Sequence, residues 1–213
     1  MMQEEEKKLL VFDFNGTLEG NNGVYDGVPE MLKELHESGQ YHMVILSMGS
    51  QRSIEDILDK ESERLGLDEA DNLNKYFDAV YGVDEIAGAN GGLPDKTNPK
   101  VLDDMVNTLS NKGVNVKRND STVVGDTFAE HLLAKRADIG FVYAGWHDVA
   151  HDKPVKSGLT EVKASPDSGH VGLTKEDIAG AKTVDDVADV PKKLATMHKQ
   201  KEKDLTKEPE IEL

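Results

Sequence analysis

Four apolar residues, Leu9-Leu10-Val11-Phe12, run directly into Asp13-Phe14-Asn15-Gly16-Thr17, and this junction constrains the fold more than any other stretch. Continuous apolar character over so short a span reads as a strand buried on both faces, as in a parallel sheet covered by helices. Gly16 permits the positive φ that a sharp turn after the strand requires. Open α/β sheets gather ligands outside the carboxyl ends of their strands, which puts Asp13 at that edge. A carboxylate held there can serve as a nucleophile or as a hard oxygen ligand for Mg²⁺.

Later segments repeat the pattern. Met43-Val44-Ile45-Leu46 is a second apolar strand and ends in Ser47. Met48-Gly49-Ser50 follows, with backbone N–H groups ahead of a predicted helix and therefore suited to an anion. Hydroxyls often cap helices, so Ser47 is the weaker assignment, and Ser50 or Ser53 is an alternative for its part. Pro94-Asp95-Lys96-Thr97-Asn98-Pro99 leads into a helix whose apolar face is Val101, Leu102, Met105, Val106 and Leu109. Asn98 suits its cap and Pro99 its first position. Lys96 precedes a helix N-terminus, where the dipole does not favour a cation, so an anionic ligand explains it better; Lys100 reads as a solvated helix residue. Thr122-Val123-Val124-Gly125-Asp126 is a further strand, turn and carboxylate, and Glu130 lies about one helical turn on. Glu130 is open between metal ligand and exposed helix residue.

Asp13-Phe14-Asn15-Gly16-Thr17, Ser47, Lys96 with Thr97-Asn98-Pro99, and Gly125-Asp126 with Glu130 together resemble the haloacid dehalogenase superfamily of phosphoryl-transfer hydrolases. The motifs stand in the family's order and cover about residues 8 to 145, with Phe77-Asp78-Ala79-Val80-Tyr81-Gly82 in place between the second and third. The resemblance implies that Asp13 attacks phosphorus and forms an aspartyl-phosphate. It implies Mg²⁺ held by Asp13, the backbone carbonyl of Asn15 and Asp126, with Glu130 bound to the metal directly or through water. Ser47, Met48, Gly49 and Lys96 would bind phosphoryl oxygens. Catalysis of this kind rests on positioning and charge neutralisation. A receiver domain of a response regulator uses similar groups, but its acidic pair on the first strand and phosphorylated aspartate on a middle strand do not match this order.

Asn15 departs from the family pattern, which has an aspartate there as general acid and base. An amide donates a hydrogen bond but exchanges no proton at neutral pH. The implied function is a Mg²⁺-dependent phosphohydrolase of an unidentified phosphomonoester, slow or confined to good leaving groups. The alternative is a catalytically weak or silent relative that binds a phosphorylated ligand or a protein partner. Asn15-Gly16 is also a dipeptide prone to deamidation.

The expected fold is a Rossmann-like three-layer α/β sandwich with a central, mostly parallel sheet and a minimal cap. A single domain over residues 1–197 is expected, with an irregular insertion at 146–180 and a charged tail at 198–213. Glu19 to Asp26 reads as a loop or a small flap over the site, and Val28, Met31, Leu32 and Leu35 as a helix. Ile54, Ile57, Leu58 and Leu65 suggest another helix, Asp68 to Lys75 a polar helical stretch, and Gly88 to Gly92 a mobile loop. Ile139 to Ala144 reads as a fifth strand; Val184, Val187, Val190 and Leu194 suggest a closing helix near Pro191. Trp146, His147, His151 and His170 are spaced too irregularly for a metal site. From His198 onward the chain reads as solvated helix or disorder.

The intervals 14–46 and 48–95 leave little room for a large cap, so the site should be open, accepting a small phosphorylated molecule or a macromolecular end. A neighbouring subunit could then act as its lid. A net charge of −16 opposes non-specific nucleic-acid binding. The absence of cysteine excludes disulfides and thiol catalysis. No apolar run is long enough for a bilayer, and a cytoplasmic location is expected.

Overall fold

The computed structural model describes residues 7–146, 182–184 and 186–205. Its centre is a six-stranded sheet in which every neighbouring pair is parallel. The strands are β1 (Lys8–Phe12), β4 (Tyr41–Leu46), β5 (Ala79–Tyr81), β6 (Thr122–Gly125), β7 (Gly140–Ala144) and β8 (Lys182–Val184). They lie in the order β5-β4-β1-β6-β7-β8, so β1 is flanked by β4 and β6.

Alternation along these buried strands makes two apolar layers. Leu10, Phe12, Met43, Ile45, Val124 and Val142 pack with α1 (Val28–Glu37), α2 (Gln51–Arg64) and α6 (Val190–Leu205). Leu9, Val11, Val44, Leu46, Val123 and Phe141 pack with α3 (Val83–Ala89), α4 (Lys100–Asn111) and α5 (Phe128–Ala137). The three-layer α/β architecture read from the sequence is therefore present. Between β1 and α1 the chain forms a small antiparallel hairpin, β2 (Glu19–Gly20) with β3 (Gly23–Val24), which is the predicted flap. No separate cap folds between β1 and α4 among the described residues.

The register decides what meets at the sheet edge. Phe12 pairs with Ile45 on one side and Val124 on the other. The residues just beyond, Asp13, Ser47 and Asp126, therefore leave the sheet at one end.

Several local expectations need correction. Residues 68–75 are no helix: Asp68 caps a turn at Ala70 and Asp71, and a 3-10 turn occupies Leu73–Tyr76. Gly88 and Ala89 close α3 instead of opening a loop, because Gly82 N–H bonded to Glu85 starts a helix that buries Ile86. Helix α4 begins at Lys100, one residue beyond the expected start, although Asn98 Oδ1 still accepts the Lys100 N–H at 3.1 Å. Val184 belongs to β8, a sixth strand, and not to the closing helix. His198 itself is buried, with Nδ1 3.3 Å from the Tyr41 hydroxyl, so the solvated stretch does not begin there; Lys199 and Gln200 are exposed, and the helix runs on to Leu205. His147, His151, His170 and most of the 146–180 insertion lie outside the described residues, as does the tail beyond residue 205.

Candidate active site

Asp13 is the first residue beyond β1, its N–H donating to the Val124 carbonyl at 2.9 Å and its side chain 3% exposed. The chain then folds back tightly. The N–H groups of Leu18 and Glu19 both donate to the Phe14 carbonyl, and Gly16 N–H donates to Glu19 O at 2.7 Å. Gly16 takes φ +87°, and a Cβ there would lie 2.3 Å from Asp126 Oδ2. Glycine is thus required both for the turn and for close approach of the second carboxylate. Gly16→Ala is expected to cost more than about 1 kcal/mol of stability and to weaken metal binding by displacing Asp126. Chemical denaturation and Mg²⁺ titration check this.

Asp126 follows β6, and Thr17 Oγ1 donates to its Oδ1 at 3.2 Å. Thr127 caps α5, with its hydroxyl and its N–H both bonded to Glu130, a capping box that turns Glu130 back toward the strand end. Gly125 makes room for this: a Cβ there would meet Glu130 Cγ at 2.3 Å. Glu130 is 1% exposed and is no surface helix residue. Lys96 reaches in from the loop before α4, pairing with Asp13 Oδ1 at 3.0 Å and with Glu130 Oε1. Ligand oxygens of Asp13, Asp126 and Glu130 all lie within 4.8 Å of one another.

Three carboxylates with one ammonium leave surplus negative charge in a cluster where Asp13 and Glu130 are buried and Asp126 is half-buried. Burial raises the Asp13 carboxyl well above its ordinary range, and Glu130 and Asp126 add to this while Lys96 opposes it. Burial works against the Lys96 ammonium too, but Asp13 and Glu130 more than offset it and hold the group above its usual range. Hard oxygen donors with uncompensated charge fit a small divalent cation.

Ser47 is buried at the end of β4, its N–H bonded to Tyr81 O and its hydroxyl accepting the Gly49 N–H at 3.2 Å. Met48 is exposed, and Gly49 O accepts from Val83 N. Ser50 Oγ accepts the Ser53 N–H and caps α2, which occupies the hydroxyl that was the alternative to Ser47. Asn15 is exposed, and its amide turns to Glu19, with Nδ2 donating to Oε2 at 2.9 Å. Burial raises the Glu19 carboxyl, with Asn15 opposing and Glu61 adding.

Sequence reasoning left four other side chains unassigned. Thr17 and Thr127 hold the carboxylates as described. Tyr25 lies over Gly20, its hydroxyl pushed up to about 12 by burial, Asp126 and Glu19. Glu61 of α2 accepts the Val24 N–H at 3.2 Å and so ties the flap to the body. The hydroxyls stand inside quoted motifs and could have been weighed; nothing local marks Glu61 or Tyr25.

Residues 9–138 match the family model of the haloacid dehalogenase-like hydrolases. No curated protein matches the chain. Among solved structures it is similar to a D,D-heptose 1.7-bisphosphate phosphatase from B. bronchiseptica, at 14% identity and TM-score 0.49, over 89% of this chain and 99% of that one. A predicted phosphatase from Clostridium acetobutylicum aligns at 21% identity and TM-score 0.45, over 81% and 60%. A haloacid dehalogenase-like family hydrolase from Streptococcus pneumoniae aligns at 13% identity and TM-score 0.43, over 64% and 84%. Among the described residues no helix is long and apolar enough to cross a membrane.

Proposed function

Because the chain belongs to the haloacid dehalogenase-like hydrolases, we propose that it is a Mg²⁺-dependent phosphohydrolase acting on a phosphomonoester through Asp13. The observation that carries this reading is the convergence of Asp13, Asp126 and Glu130 within 4.8 Å, with Lys96 bonded to Asp13. Asp13, the Asn15 carbonyl, Asp126 and Glu130 would hold the metal. When bound, Mg²⁺ supplies charge neutralisation and orientation of the phosphoryl oxygens.

The chain's own groups do the rest. An Asp13 oxygen attacks phosphorus as the bond to the leaving oxygen breaks, giving an aspartyl-phosphate and an alkoxide. Lys96, Ser47 and the backbone N–H groups of Met48 and Gly49 bind the equatorial oxygens. The alkoxide takes its proton from water, since the Asn15 amide has none to give. A water oxygen then attacks the same phosphorus, which frees Asp13 and releases inorganic phosphate. The open end of the sheet suits a small phosphorylated molecule or a macromolecular end.

A second reading is favoured by Asn15 itself: a weak or silent relative that binds a phosphorylated ligand or partner without turning it over. Turnover of p-nitrophenyl phosphate separates the two. Activity should appear with millimolar Mg²⁺, vanish in EDTA and return on readdition. Turnover indifferent to EDTA would remove the metal from the mechanism, and none with any phosphate ester would favour the silent relative.

A further inference from the structure

We infer that Trp146 is a positioning residue of the metal site, acting through Thr17 on Asp126; the inference rests on the proposed metal-dependent function. Trp146 stands just past β7, two strands from β1, and is 5% exposed within the apolar layer facing α1 and α6. A buried indole N–H needs an acceptor. The acceptor is the Thr17 carbonyl, at 2.9 Å and 129 positions away in sequence. Thr17 is fully buried, and its own N–H makes only a long turn bond of 3.3 Å to Phe14 O. The carbonyl lies in the Thr17–Leu18 peptide, whose N–H donates to Phe14 O at 2.8 Å, so the indole and that turn bond together hold this peptide from its two sides.

Threonine is stiff about χ1, so fixing its backbone fixes the direction of its hydroxyl. That hydroxyl donates to Asp126 Oδ1 at 3.2 Å. One oxygen of the proposed ligand is thus oriented by a chain of two hydrogen bonds that begins at Trp146. Partners that orient a metal ligand in this way typically contribute about 10–100-fold to metal affinity.

The test is calorimetric titration of the full chain with Mg²⁺, with Tm recorded for each variant. Thr17→Val removes the hydroxyl at nearly constant volume and should weaken Mg²⁺ binding about tenfold. Thr17→Ser keeps a hydroxyl and should recover most of that loss. Trp146→Phe keeps an aromatic ring without the donor and should also weaken binding, by about three- to tenfold. If Trp146 acts through Thr17, the double variant binds no more weakly than Thr17→Val alone. Trp146→Phe that lowers Tm but binds Mg²⁺ like the parent overturns the inference, as do additive losses in the double variant. A parent that binds no Mg²⁺ overturns the functional reading as well, which distinguishes the two failures.

Discussion

If the proposed function holds, Asp13→Asn is expected to abolish phosphatase turnover, lowering kcat by about 10⁴-fold or more, and at the same time to make the metal-free protein more stable. The first effect follows from loss of the attacking oxygen, since an amide is no nucleophile toward phosphorus. The second follows from the electrostatics of the carboxylate cluster. Burial, Glu130 and Asp126 all disfavour the ionised Asp13 carboxyl, and Lys96 only partly opposes them. Its folded-state value is therefore above the ordinary 3.8, and the folded protein holds that proton more tightly than the unfolded chain does.

The sign follows from that. Stability falls as pH rises from the ordinary carboxylate value through the raised one, and the penalty stays constant above it. Asparagine resembles the neutral form at every pH. Its advantage should be absent in acid, grow with pH and level off, reaching about 2–4 °C in Tm for each kcal/mol in a domain of this size. Thermal scans in EDTA from pH 4 to 9 measure it. With Mg²⁺ at about 100 times its Kd the parent gains about 2.7 kcal/mol and the ranking should reverse. An Asn variant less stable than the parent at pH 8 in EDTA would mean that Lys96 fully compensates the buried charge.

The same physics explains what the sequence could and could not disclose. The strands β1, β4, β6 and β7 are buried on both faces, so short apolar runs mark them, and the polar residues that follow β1, β4 and β6 fall at the sheet edge. Asp13, Lys96, Asp126 and Glu130 were legible because motif order fixed which loop carried each. The burial of Glu130 was not, because a helix pattern places a residue on a face but does not show the capping box at Thr127 that turns it inward. Helix α3 was hidden by Gly88 and by having a single buried residue, Ile86. Strand β8 has three residues, too few for any period. Trp146 meets Thr17 across 129 positions, a separation no local pattern spans. The orientation of Asn15 toward Glu19 was equally illegible, since Asn15 read as part of the first motif and Glu19 as the start of the loop after it.

That last contact bears on the Asn15→Asp variant, which should turn over p-nitrophenyl phosphate modestly faster and a poor leaving group, such as an alkyl phosphate, about 10²–10⁴-fold faster than the parent. The Asn15 amide lies 2.9 Å from Glu19 Oε2, so the substitution sets two carboxyls in contact. Like charges this close do not both ionise readily, so the pair gives up its first proton easily and holds the second more tightly than an isolated carboxyl does. A carboxylic acid would then stand two residues beyond the nucleophile, able to protonate the leaving oxygen and afterwards to take a proton from the attacking water. Removing the neighbour should undo part of this. In Asn15→Asp with Glu19→Gln, the limb of the kcat profile that falls at high pH should move to lower pH, because the new acid loses the charge that held its proton. Peptide mass spectrometry of the parent belongs with these rates, since Asn15-Gly16 is a dipeptide prone to deamidation and a small fraction of chains with aspartate in place of Asn15 would supply much of the measured background. A leaving-group dependence that is unchanged in Asn15→Asp would show that protonation of the departing oxygen does not limit the rate.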